Sequence, residues 1–102
     1  MARTSKPVTA LDDYVTDVLM RDLVGHDKRP ASFLVYLWLA AEQQRRGTDV
    51  AISYQDLAES IGISKSSAQT AVAWLFRRKL LRVSKATATA TPVYSVRAPW
   101  KT

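Results

Sequence analysis

Apolar side chains recur at three- and four-residue steps near the start of the chain: Leu11, Tyr14, Val15, Val18, Leu19 and Leu23. That spacing predicts an amphipathic helix over Val8–Val24, with Asp13 and Asp17 on the opposite face. Asp22 interrupts the stripe near the helix end. Gly25 and the polar run His26–Arg29 stop the helix, and Pro30 stands where the next one starts. Phe33–Arg46 reads as a second helix closed by Gly47. Its first half, FLVYLWLAA, is apolar around most of its circumference, so it is expected to be covered on several sides and to sit centrally. Val50, Ala51 and Ile52 form a short strand-like run. Ser53 suits an N-cap, with Asp56 three residues on, and opens a helix to about Ile61. Gly62 breaks that helix, and Ser64 caps another that continues to about Lys79. The period then changes: Leu81 and Val83, then Val93, Tyr94 and Val96, flank a Thr/Ala stretch and predict a hairpin. The pattern as a whole is mainly α with a small β-hairpin.

Composition narrows the function classes. The 102 residues, 47% apolar and 24% charged, suffice for one domain with a modest core. The chain has no cysteine, which removes disulfides and thiolate metal sites. Its longest apolar run, Phe33–Ala41, is about half what a membrane span needs, and no signal-peptide core opens the sequence; a soluble cytoplasmic protein is expected. All three glycines fall at predicted helix ends, so no glycine-rich phosphate loop is present. His26, the single histidine, lies in a polar linker beside Asp27, and Asp12, Asp13, Asp17 and Asp22 are spread around a helix. Neither set makes a catalytic or metal site, and no enzyme, cofactor or metal is expected.

Charge changes the picture once it is located. The net charge of +6 is not spread evenly: residues 1–30 balance, residues 31–62 are slightly acidic, and residues 63–102 carry eight basic side chains and no acid. Such a stretch points to an anionic partner.

Residues 53–81, SYQDLAESIGISKSSAQTAVAWLFRRKLL, hold the features that two closely crossing helices need. Ala58 is small where the helices cross, and Gly62 tolerates a left-handed turn. Leu57 and Ile61, Ile63, then Ala68, Ala71, Val72 and Leu75 bracket the crossing with apolar groups. This pattern resembles the helix-turn-helix of winged-helix DNA-binding proteins, including MarR-type regulators and plasmid or phage replication-initiator domains. The preceding helix, the short strand and the trailing hairpin extend the resemblance over roughly residues 30–98. The implied organisation is a disordered segment 1–7, an additional N-terminal helix and linker 8–29, a winged helix-turn-helix domain 30–98 and a tail 99–102.

The resemblance implies that the second helix of the motif enters the major groove of double-stranded DNA. Its outer face then presents Lys65, Ser66, Gln69 and Thr70 to base edges. Lysine donates to guanine, glutamine pairs bidentately with adenine, and hydroxyls reach bases or phosphates. Ser64, Ser67, Arg77, Arg78, Lys79, Arg82, Lys85, Thr87, Thr89 and Arg97 are the expected phosphate contacts. The wing tip departs from the commoner glycine- and arginine-bearing pattern: KATATATP offers no turn residue. Trp74 and Phe76 are unexpected on such a helix and call for cover from the N-terminal helix, from the Pro99–Trp100 tail or from a second subunit. A homodimer paired through Leu11, Val15, Val18, Leu19 and Trp74 is the assembly expected. The functional expectation is a sequence-specific transcriptional regulator with no evident small-molecule effector. The alternatives are a replication or plasmid-maintenance protein, or a winged helix that binds protein.

Overall fold

The computed structural model describes residues 8–101, and residues 1–7, read above as disordered, lie outside them. The N-terminal helix, α1, consists of two wide π-type stretches, Val15–Leu19 and Arg21–His26, joined through Met20. Its bonds skip five residues, as where the Asp27 N–H donates to the Asp22 carbonyl at 2.8 Å. The wider turn gathers Val15, Leu19 and Leu23 onto one buried face, while Tyr14 and Leu11, which precedes the helix, are exposed. The helix also starts later than Val8. The carboxylate of Asp12 accepts the Tyr14 N–H at 2.8 Å and caps the chain there. Residues ahead of the cap are pinned instead by Gln44, whose side-chain amide exchanges bonds with both backbone groups of Ala10 (3.0 and 2.6 Å).

Helix α2, Pro30–Arg46, begins at its proline, three residues before Phe33, because Pro30 is preset for the first helical position. Gly47 ends it in the left-handed region at φ 72°, which glycine enters without a Cβ penalty. Helix α2 is central: it packs against α1, the sheet and both later helices. Leu34 is nevertheless exposed, so its cover is not complete.

The remaining elements are strand β1 (Val50–Ala51), helix α3 (Tyr54–Ile61), helix α4 (Lys65–Arg77), and strands β2 (Leu81–Ser84) and β3 (Val93–Val96). The three strands form one antiparallel sheet in the order β1-β3-β2. Val50 faces Tyr94 across β1 and β3, and Leu81, Arg82, Val83 and Ser84 face Val96, Ser95, Tyr94 and Val93. Because pairing residues share a face, Leu81, Val83, Tyr94 and Val96 point into the core, while Arg82 falls on the other side. The hairpin tip does turn without glycine, the Ala90 N–H donating to the Thr87 carbonyl at 3.2 Å.

Leu39, Leu57, Leu75 and Tyr94 are fully buried where α2, α3, α4 and the sheet meet. Two polar contacts tie the sheet to α2. The Tyr36 hydroxyl donates to the Arg97 carbonyl at 3.0 Å, and the Gln43 side-chain oxygen accepts the Val96 N–H at 2.8 Å. Burial, then the nearby Asp12 charge, pushes the Tyr36 phenol up to about 12. The tail folds back as well: Trp100 stacks on Tyr14 with ring centres 4.4 Å apart.

Candidate nucleic-acid interface

Helix α4 divides cleanly by burial. Ala68, Ala71, Val72 and Leu75 face the core, while Lys65, Ser66, Gln69, Thr70 and Ala73 form an exposed stripe at helical spacing. The turn before it is set by two local devices. Gly62 adopts φ 92°, letting the Ile63 N–H reach back to the Ala58 carbonyl at 3.0 Å. Ser64 then caps α4 by accepting the Ser67 N–H at 3.1 Å. Its hydroxyl also contacts those of Ser66 (3.2 Å) and Ser67 (2.9 Å). Ser64 and Ser67 are therefore committed first to the cap, while Ser66 is exposed and takes no backbone bond of the cap.

Beside this stripe lies a groove of about 290 Å³ whose far wall comes from the α1–α2 connection. Lys28 and Arg29 stand there opposite Ser66, Ser67 and Thr70. Lys28 sits in the left-handed region at φ 57°. The two helix starts come together because Ser32 is small, fully buried, and donates its hydroxyl toward the Ala71 carbonyl at 3.4 Å. Two N-terminal helix ends, two cations and the hydroxyls of Ser66, Ser67 and Thr70, besides that of Ser32, thus line one groove, an arrangement suited to anions. In the sequence Lys28 and Arg29 fall in a linker; the packing of Ser32 against Ala71 and the contacts of Asp27 and Arg29 with Trp74 bring them to α4.

Arg78 belongs elsewhere. Its guanidinium pairs with Asp22 at 3.0 Å and with Asp27, so this residue, expected at phosphate, is spent inside the chain. Asp27 also accepts the Trp74 indole N–H at 2.9 Å and contacts His26 Nδ1 at 2.9 Å. The Arg29 guanidinium covers the Trp74 ring at 4.4 Å. Burial pushes the Asp27 carboxyl up, but the hydrogen bonds from His26 and Trp74 and the Arg78 charge outweigh it and hold it below the usual carboxylate range. The interruption at Asp22 thereby acquires a purpose. Trp74, offered above to a partner subunit, is covered by the α1–α2 connection of its own chain.

Two further interface positions are corrected in the same way. Val15 and Leu19 are only 4% and 3% exposed within the single chain, so they have no free surface to offer a second copy. Leu11 is exposed and Val18 half-buried.

The other basic positions divide into two groups. Lys85, Thr87 and Thr89 are exposed along the hairpin tip. Arg77, Lys79, Arg82 and Arg97 gather instead at the hairpin base, around a concavity of about 710 Å³. At about 1.5 Å per residue, the Arg77 end of α4 is roughly 18 Å from Lys65. The structure thus places Lys65, Ser66, Gln69 and Thr70 together at one end of α4 and these cations at the other. Among the described residues no cluster of His, Asp or Glu could hold a metal ion, and no helix is long and apolar enough to cross a membrane. No protein-family model, curated protein or solved structure matches the chain.

Proposed function

We propose that this chain is a winged helix-turn-helix protein that binds double-stranded DNA in a sequence-specific manner, as a transcriptional regulator does. The observation that carries the reading is the exposed stripe of α4. Lys65, Ser66, Gln69 and Thr70 follow one another at helical spacing on a helix that bears no carboxylate. The B-DNA major groove is about 12 Å wide and admits a helix of this kind. The small side chains of Ser66, Thr70 and Ala73 allow the helix backbone close approach. Gln69 then supplies a bidentate donor–acceptor pair for adenine, and Lys65 a donor for guanine O6 and N7.

The order α2, β1, α3, α4, β2, β3, with β1 added to the hairpin edge, supports the winged-helix assignment. The groove holding Lys28 and Arg29 supports a phosphate path beside α4, fixing register without reading sequence. Fluorescence anisotropy of labelled duplexes across a salt series tests the reading. Binding should weaken with salt at a log–log slope steeper than about −3, each phosphate contributing roughly −0.9. Affinity independent of salt, or no duplex binding near 50 mM salt (a ~10 Å Debye-length regime or longer), would remove it.

A further inference from the structure

The cavity at the hairpin base lies beyond the α4 stripe just described, at the other end of the same helix. Arg77 and Lys79 reach it from the end of α4, Arg82 from β2 and Arg97 from the end of β3, and all four are exposed. Among the described residues none of the four is in an ion pair. A fifth cation on the rim, Lys101, is paired with Asp12 at 3.7 Å, and other acids of the chain serve Arg45, Arg46 and Arg78. Four converging cations left without a counter-charge call for an anion from outside.

Charge alone does not describe the cavity. Phe76 stands on its wall and is 58% exposed, the most exposed aromatic-sized apolar side chain of α4. It does not serve the core. An undistorted duplex offers it little beyond a thymine methyl, since base faces are stacked inside the helix and the backbone is a convex, hydrated rod. A single strand offers both halves of what the cavity lacks: unstacked base faces for Phe76 and phosphates for the guanidinium groups. Arg82 and Arg97 add planar surfaces that themselves stack on bases, while the Arg77 guanidinium lies 5.9 Å from the Trp74 ring centre. An acidic peptide would satisfy the charges, but the cavity is continuous with the stripe of α4. Phe76 and Arg77 follow Ala73 at the same helical step that links it to Gln69 and Thr70. One face therefore runs from the proposed base-reading residues to the cavity, and a nucleic acid is the partner that suits its whole length.

We infer that the cavity formed by Phe76, Arg77, Lys79, Arg82 and Arg97 binds single-stranded nucleic acid, with a base stacked on Phe76 and the flanking phosphates held by the cations. It is a site distinct from the duplex-reading end of α4, and either site can fail without the other.

The test uses the full chain and a labelled oligothymidylate of about twelve nucleotides, followed by anisotropy across a salt series. Wild-type protein should bind it with a log–log slope of about −0.7 per phosphate engaged, shallower per contact than for duplex. Phe76→Ala should weaken that binding about tenfold and leave duplex affinity within about twofold, whereas Phe76→Trp should retain it. Arg82→Gln with Arg97→Gln should flatten the salt slope. Gln69→Ala should leave the oligothymidylate unaffected while weakening duplex, which separates this site from the proposed base-reading one. Because Phe76 is exposed, unchanged thermal melting is expected and keeps the variants interpretable. The inference is overturned if the oligothymidylate does not bind, if Phe76→Ala leaves its affinity unchanged, or if Phe76→Ala weakens duplex and single strand equally. Displacement of the oligothymidylate by an acid-rich, phenylalanine-containing peptide at lower concentration than by unlabelled oligothymidylate would also overturn it, in favour of a peptide site.

Discussion

Trp74 donates its indole N–H to a carboxylate oxygen of Asp27, at 2.9 Å and across 47 residues of sequence. Asp27 is the hub that joins the loop before α2 to the end of α4, since Arg78 pairs with the same oxygen and His26 with the other. Its side chain is only 5% exposed. Asp27→Ala would leave the indole N–H and part of the Arg78 charge without a partner. The expected loss of stability is about 2 kcal/mol, after discounting for the one-third exposure of Arg78. Urea denaturation measures it, and a Trp74→Phe/Asp27→Ala cycle should show strong coupling rather than additive losses.

The same hub fixes how stability depends on pH. The Asp27 carboxyl is held below its ordinary range, so the folded state prefers its ionised form. Its contribution is then complete above the unfolded value near about 4, and is lost as pH falls through the lowered folded value. Asp12 is also lowered, first by the Tyr14 backbone N–H, and acts in the same direction. Acid titrations of stability should accordingly lose part of their slope in Asp27→Asn and a further part in the Asp12→Asn/Asp27→Asn pair. An unchanged slope in both would contradict the assignment.

Leu19 belongs to the core of the single chain. Leu19→Ala should cost about 2–5 kcal/mol, the range for deleting buried leucine atoms. The loss should be independent of protein concentration, because the side chain is covered by its own chain. A midpoint that shifts with concentration would restore Leu19 to a subunit interface.

How far each feature was legible depends on its range in sequence. The caps at Ser53 and Ser64 and the turn at Gly62 are short-range chemistry and could be read directly. So could the buried set of α4, since Ala68, Ala71, Val72 and Leu75 obey helical spacing. The burial of Val15, Leu19 and Leu23 was legible only as a stripe, because the late start at Asp12, which leaves Leu11 outside the helix, and the i→i+5 bonding beyond it have no clear sequence signature. The pairing of Arg78 with Asp22 and Asp27 was hidden by distance along the chain, and the basic cluster around Arg78 read as uniform. Lys28 and Arg29 were hidden for the same reason. Nothing local to them announces that Ser32 packs against Ala71 or that Asp27 and Arg29 meet Trp74.

Reassigning these cations has a measurable consequence for the duplex. Lys28→Ala and Arg29→Ala should each make the salt slope of duplex binding less steep by about 0.9, on all sequences alike. Arg78→Ala should instead lower thermal stability and leave the slope unchanged at temperatures where the protein is folded. Equal effects of all three on the slope would return Arg78 to the DNA backbone.

Gln69 is the sharpest point of the exposed α4 stripe proposed to read base edges. Selection from random duplexes, carried out in parallel with the wild-type chain and with Gln69→Ala, tests that role most directly. The wild-type chain should select a defined site in which one adenine position loses its preference in the variant, with about 1–3 kcal/mol of affinity lost on the best site and little on random duplex. Selected pools without a shared site, or equal weakening of selected and random duplexes by Gln69→Ala, would contradict it.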